Sequence, residues 1–330
     1  MMPDQLIPAI LVSAIAFFSV YTSVPFLIKV LEKRNLTVKD YNKLNGQMVP
    51  RPGGPSIIMG IIASELVLYA FFPKVEIIAI LATTSIAFLV GILDDRKTRG
   101  GWFKPLGLAV STIPIILLGA YQPTLSFPII GHATIPLLSI PIIIFIIPIT
   151  GNTVNSIDVL NGVASGFMVI AGCAITLSLF ITQNYEIAIA SLPLIFVSLA
   201  FYKYHKFPSR IFPGDSGALT LGAMYGVIAI VGHVEIIAAV AILPAIVNSF
   251  LFLSSMKRIV EHRQIKNPVT HTEDYKLTAT NEKDAPITLV RLIVAGGPMT
   301  EKEIGFFIFK LAVFSAFLAI ITAFVTVVKI

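Results

Sequence analysis

A few of the eighteen acidic residues in this 330-residue chain stand where carboxylates can do chemistry. In GILDDRKTRGGWFKPL, Asp94 and Asp95 end one apolar run and Lys104 starts the next. Adjacent carboxylates at a water boundary can hold a cation, or one can act as base while its neighbour positions a group. The plain alternative is a solvated loop end. In GNTVNSIDVLNGVASG, Asn152, Asn155, Asp158 and Asn161 recur every three residues, a spacing that puts side chains on one helical face. Such a face would be costly against lipid. It therefore predicts a wet cavity where amide and carboxylate oxygens coordinate a hard cation or read a polar ligand. Interhelical hydrogen bonding is the alternative, and Asn161 followed by glycine suggests a turn.

A third cluster, SRIFPGDSGALTLGA, places Asp215 between two glycines ahead of an apolar run. Glycines there let a backbone or a phosphate approach closely, and Asp215 near a helix N-terminus could hold magnesium while substrate phosphates complete its shell. An ordinary N-cap is the competing reading. A long polar loop carries Lys257, Arg258, His262, Arg263, Lys266, His271, Glu273 and Asp274. Arginine can clasp phosphate and histidine can bond a sugar or a diphosphate, although a solvated positive face would look the same. Its tail, APITLVRLIVAGGP, is too short to span a bilayer and predicts an interfacial or re-entrant helix. In the first polar loop, Asn45, Gly46 and Arg51 to Pro55 form a rigid turn that could close one wall of a site. Glu65, inside an apolar run, is expected to be a buried, partnered carboxylate.

The elements that must position these groups are membrane helices. Hydrophobic residues make up 56% of the chain and charged residues 13%, about half the charged share of a soluble protein. Ten candidate spans follow, at 6–30, 55–72, 76–93, 105–121, 133–151, 163–183, 187–202, 216–232, 235–256 and 304–328. The first lacks a basic leader and a cleavage site, which reads as a retained helix rather than a signal peptide. The intervening loops alternate between polar and nearly neutral. Of the 24 Lys and Arg, 20 fall in the polar set at 31–54, 94–104, 152–162, 203–215 and 257–303. The basic face is the cytoplasmic one, so both termini are expected outside. The net charge of +6 is then mostly topology, and no basic soluble module remains to carry nucleic acid. Cys173, the single cysteine, is a small hydrophobe that cannot form an intrachain disulfide. One integral membrane domain, 1–330, with a long cytoplasmic loop at 257–303, is the expected organisation.

Taken together, DDRKTRGGWFKPL, NTVNSIDVLNG, YHKFPSRIFPGDSGALTLGA with VGH after it, and LVRLIVAGGPMTEKE resemble the polyprenyl-phosphate N-acetylhexosamine-1-phosphate transferase superfamily, eukaryotic and bacterial branches alike. The resemblance covers most of the chain. It implies an all-α fold of about ten helices around a cytoplasmic groove, and transfer of a sugar phosphate, best matched by GlcNAc-1-phosphate, from a UDP-sugar to a polyprenyl or dolichyl phosphate. It also implies Mg2+, with Mn2+ as a substitute, and leaves homodimer formation open.

Carried over by position, Asp215 and Asn155 become metal ligands. Lys104 meets the diphosphate or lipid phosphate, Asp94 and Asp95 lie nearest the proton transfer, and Asn161 falls in the uridine region. His262 and Arg263 match the sugar and diphosphate contacts, while Asp158 and Asn152 join the substrate-binding set. Two departures stand out. Glu261 replaces the eukaryotic arginine before the His-Arg pair, and Asp158 follows the bacterial pattern. A secondary transporter using the intramembrane polar groups is the rival from another class. It would place its ionisable groups near mid-membrane in duplicated halves, whereas here they gather at one face and no internal repeat is evident.

Overall fold

The computed structural model describes residues 3–41, 46–128, 131–257 and 266–328. Helix α1 (Pro3–Lys33) leads to an antiparallel pair, β1 (Thr37–Lys39) and β2 (Met48–Pro50), then to α2 (Gly54–Phe71), α3 (Val75–Arg96), α4 (Phe103–Val110) and α5 (Ile113–Leu117). A second pair, β3 (Thr124–Phe127) and β4 (Gly131–Thr134), precedes α6 (Pro136–Ile157), α7 (Val163–Ile181), α8 (Tyr185–Ala190), α9 (Leu192–His205) and α10 (Gly214–Val231). After α11 (Glu235–Ala241) and α12 (Leu243–Met256) come β5 (Val269–His271), β6 (Leu277–Ala279), α13 (Leu289–Ile293) and α14 (Glu301–Val327).

Among the described residues eight helical stretches are long and apolar enough to cross a membrane, and α11 with α12, a bent pair, make a ninth if counted as one span. The chain is an all-α, multi-pass membrane protein. The expected fourth span, 105–121, is instead split into α4 and α5, because the backbone breaks at Ser111 and Thr112 just ahead of Pro114. Proline cannot donate into a helix interior but suits a first turn. The hydroxyls of Ser111 and Thr112 donate to the carbonyls of Leu108 and Ala109 at 2.6 and 2.7 Å, satisfying groups near the break. Pro193 and Pro244 open α9 and α12 in the same way, and α11 and α12 meet at 76°. The expected span from 133 also starts later, since residues 131–134 pair with β3.

Every residue of α10 is buried, and this helix packs against α3, α6 and α2 at the centre of the bundle. The α3–α10 crossing is close: a Cβ at Gly91 would lie 2.4 Å from the Cα of Ser216, so only glycine fits there. Two polar segments then lock across the end of α10. The amide of Gly53 donates to the carbonyl of Phe212 at 2.8 Å and the amide of Phe212 to that of Pro50 at 3.0 Å. The turn after β2 is thereby pinned beside the start of α10.

Glu65 in α2 is fully buried as expected, but neither carboxylate oxygen has a hydrogen-bond partner among the described residues. The tail expected to be interfacial forms α13, one and a half turns capped by Thr288, whose hydroxyl accepts from the amide of Arg291.

Candidate active site

The C-termini of α3 and α6 and the N-termini of α4 and α10 meet at one end of the bundle. Asp94 and Asp95 lie in the last turn of α3, Lys104 in the first turn of α4 and Asp215 in the first turn of α10. Asp95, whose side chain is only 3% exposed, accepts the amide of Asp215 on Oδ1 at 3.0 Å and that of Ser216 on Oδ2 at 2.8 Å. It thus supplies from a neighbouring helix the cap that a helix N-terminus ordinarily finds in its own chain. The competing reading of Asp215 as an N-cap does not hold, because Pro213 occupies that position.

Freed from capping, the Asp215 carboxylate takes a cation on each oxygen. Lys104 Nζ donates to Oδ1 at 2.5 Å and Arg51 Nη2 to Oδ2 at 2.7 Å. The same Arg51 nitrogen reaches Asp95 Oδ1 at 3.0 Å, and Lys104 also contacts Asp94 Oδ2 at 3.2 Å. Asp94 Oδ1 accepts the amide of Arg99 at 3.1 Å. Gly214 makes this crowding possible. Its φ is +71°, and a Cβ would stand 2.8 and 2.9 Å from the Asp95 oxygens and 2.7 Å from Pro52 Cβ. Burial works against the charge on Arg51, yet Asp215, Asp95 and Asp158 together outweigh it and raise the guanidinium pKa.

Asn155 lies within hydrogen-bonding reach of Asp215. The shared helical face expected for 152, 155, 158 and 161 is not continuous, because α6 ends at Ile157. Asp158 follows as its C-cap, and burial pushes its carboxyl up to about 7, with Arg51 pulling it down and Asp215 and Asp95 pushing it further up. Asn152 turns back along α6 and donates to the carbonyl of Pro148 at 2.8 Å. Asn161 sits at the turn before α7, where Gly162 has φ +82°, and joins a separate buried knot. Its Nδ2 donates to Asp40 at 3.1 Å and Glu301 at 2.6 Å, its amide also reaches Glu301 at 2.6 Å, and its Oδ1 accepts the amide of Ser209 at 3.1 Å. His262 and Arg263 lie outside the described residues.

The structure therefore gathers Asp94, Asp95, Lys104, Asp215, Asn155 and Asp158, and holds Asn152 and Asn161 by internal bonds. Arg51 is the site residue that sequence reasoning missed, having read its loop only as a wall. The available signal was an arginine fixed by Pro52 and two glycines next to a strand end. For Mg2+ the cluster offers hard-ligand residue types, the Asp215 carboxylate with the Asn155 side-chain amide beside it, and substrate phosphates would complete such a shell. Among the described residues no group of three His, Cys, Asp or Glu side chains forms a self-sufficient cage.

Residues 77–233 match the family model described as glycosyl transferase family 4, a stretch that contains all of these groups except Arg51. The chain is 28% identical over 325 residues to a Saccharolobus solfataricus protein named for UDP-N-acetylglucosamine–dolichyl-phosphate N-acetylglucosaminephosphotransferase activity, covering 95% of this chain and 96% of that one. It is 25% identical to a Bacillus subtilis protein named for undecaprenyl-phosphate N-acetylglucosaminyl 1-phosphate transferase activity, over 82% and 76% of the two chains. It is 29% identical to the phospho-N-acetylmuramoyl-pentapeptide-transferase of Chlorobium limicola, over 57% and 60%.

Proposed function

We propose, from the premise that this chain is a multi-pass membrane relative of the polyprenyl-phosphate N-acetylhexosamine-1-phosphate transferases, that it transfers GlcNAc-1-phosphate from UDP-GlcNAc to a polyprenyl or dolichyl phosphate. The products are a sugar-diphosphate lipid and UMP. The observation that carries this reading is the Asp215 carboxylate flanked by Lys104 and Arg51 at one end of the bundle. Phosphoryl transfer is catalysed mainly by positioning and by neutralising charge, which is what such an arrangement offers.

In this reading an oxygen of the lipid phosphate attacks the β-phosphorus of the donor, and the bond from that phosphorus to the UMP oxygen breaks. Mg2+, or Mn2+ in its place, would be held by Asp215 and Asn155 and would supply Lewis-acid neutralisation of the diphosphate. Lys104 and Arg51 turn from Asp215 toward phosphate oxygens as the donor arrives, offsetting the charge that develops on the leaving UMP. Asp95 holds the α10 terminus and Asp94 orients Lys104. Both carboxylates are engaged on both oxygens, which favours direct attack by the lipid phosphate over a covalent aspartyl intermediate. The acceptor phosphate, with a second pKa near ~6, needs little help to lose its proton.

The site faces the cytoplasm in this proposal, because the basic residues collect in the loops at its end of the bundle. With α4 and α5 together making a further crossing, both termini then lie outside. At the far end Lys74 is paired with Glu186 at 2.6 Å, which removes one of the few opposing charges.

The test is UMP release by the purified protein from UDP-GlcNAc and polyprenyl or dolichyl phosphate, with and without Mg2+, beside Asp215→Ala. Lipid- and metal-dependent release that vanishes in the variant is expected. Release with a different UDP-sugar would correct the donor. If no nucleotide sugar reacts with any lipid phosphate, the transferase reading fails.

A further inference from the structure

His205, the last residue of α9, is 1% exposed, and no reading of the motifs assigned it a task. Its ring lies beside Phe201 and edge-on to Phe212, with centroids 5.7 and 6.2 Å away. Nδ1 stands 2.9 Å from Ser165 Oγ in α7, and Nε2 faces Asp158 Oδ1 at 3.6 Å. A neutral imidazole carries one proton. A proton on Nδ1 would turn the Nε2 lone pair toward a carboxylate. With Ser165 donating to Nδ1, the proton sits on Nε2 and points at Asp158. At 3.6 Å the pair stands just beyond hydrogen-bond length.

Asp158 needs such a partner. It follows the end of α6 and is held there by its amide, which donates to the carbonyl of Asn155 at 3.3 Å. Its carboxylate shares the electrostatic neighbourhood of Arg51, Asp95 and Asp215, so two other acids push against it. In its ionised form, which the nearby Arg51 favours, the carboxylate only accepts hydrogen bonds, and the group it then reads on a nucleotide sugar is an N–H or O–H.

We propose that His205 is a positioning residue which, braced by Ser165, uses Nε2–H to aim the Asp158 carboxylate at an N–H or O–H group of the nucleotide-sugar donor. This inference rests on the sugar-phosphate transfer reading above. It requires one ring nitrogen in particular, because the other is already committed to Ser165.

The two amide substitutions separate the nitrogens. The side-chain nitrogen of glutamine falls close to where Nε2 stands, and that of asparagine close to Nδ1. UMP release is measured for the wild type and for His205→Ala, His205→Gln, His205→Asn, Asp158→Asn and the double variant His205→Ala/Asp158→Asn, with melting temperatures to establish that each is folded. The expected result for His205→Ala is a KM for the nucleotide sugar raised about tenfold, the order of one charge-assisted hydrogen bond, with kcat changed less than threefold. His205→Gln should restore KM and His205→Asn should not. The double variant should be no worse than Asp158→Asn alone, since two residues acting through one interaction do not add.

An unchanged KM in folded His205→Ala, rescue by asparagine rather than glutamine, or additive losses in the double variant would each overturn the proposal. UDP binding, followed by thermal shift, gives a readout independent of turnover. A wild type that binds UDP but releases no UMP would break the reaction reading while leaving His205 to be judged on UDP affinity alone. A wild type that binds no UDP would remove both.

Discussion

Asp95 and Asp215 meet through backbone rather than through their carboxylates: Asp95 Oδ1 accepts the amide of Asp215 at 3.0 Å while Asp95 Oδ2 accepts that of Ser216 at 2.8 Å. One acid therefore holds the helix end on which the other rides. The division explains how three aspartates can crowd one helix junction, since Asp95 is neutralised by amides and Arg51, whereas Asp94 and Asp215 share Lys104.

Asp95→Asn should cost about 1–3 kcal/mol of stability, because one oxygen is replaced by an amide group that cannot accept from the buried amide of Ser216 or Asp215. Thermal unfolding in detergent would register this as a lowered midpoint. UMP release should fall with it, as the terminus carrying Asp215 loosens.

Gly214→Ala should be destabilising by roughly 1–3 kcal/mol, the range for a residue forced into a sparsely populated backbone region. Its Cβ would also press on Asp95 and Pro52. Gly100→Ala is the control, since nothing lies within 4 Å of a Cβ there. Equal melting midpoints for the two variants would contradict the crowded-junction account.

Lys104→Met and Arg51→Met should each lower kcat by about 10²-fold or more, the scale reported for removing one preorganised charge-stabilising donor. Arg51→Lys should recover only part, because Arg51 bridges Asp95 and Asp215 from one planar group and a lysine is a single point charge. The check is steady-state UMP release at saturating donor, where a change confined to KM would count against a role in the chemical step.

Asn161→Asp should destabilise the protein far more than it alters donor KM. The substitution sets a third carboxylate against Asp40 and Glu301 in a buried knot and removes the two donors that now satisfy them. Asn161→Ala should cost about 1–3 kcal/mol by removing one side-chain donor from each of two buried acids. A stable Asn161→Ala protein with a strongly raised KM would assign the residue to the nucleotide instead.

The membrane class and most of the elements were legible in the chain itself. Apolar runs near the length of a bilayer leave few alternatives to helices, because unpaired backbone groups cannot be left in hydrocarbon. The reading slipped in two of its spans for one reason: prolines at 114 and 244 sit inside apolar runs that hydropathy treats as continuous, and only the folded chain shows the helix interrupted beside them.

The same boundary separates what composition and spacing determined about the site from what packing decided. Residue type and position marked Asp94, Asp95, Lys104, Asn155, Asp158 and Asp215 as candidates, since ionisable and amide groups at helix ends in a membrane protein are rare and costly, and the resemblance of their motifs to the transferase family joined them into one set. Their division of labour was not in the sequence. That Asp95 caps α10, that Arg51 crosses from the first loop to Asp215, that Asn161 is spent on Asp40 and Glu301, and that His205 faces Asp158 all depend on contacts between segments 47 to 164 residues apart. Such pairings depend on how closely α3, α6 and α10 approach, which Gly91 and Gly214 permit between α3 and α10 and Gly222 and Gly226 between α6 and α10, and no local pattern in the chain encodes them.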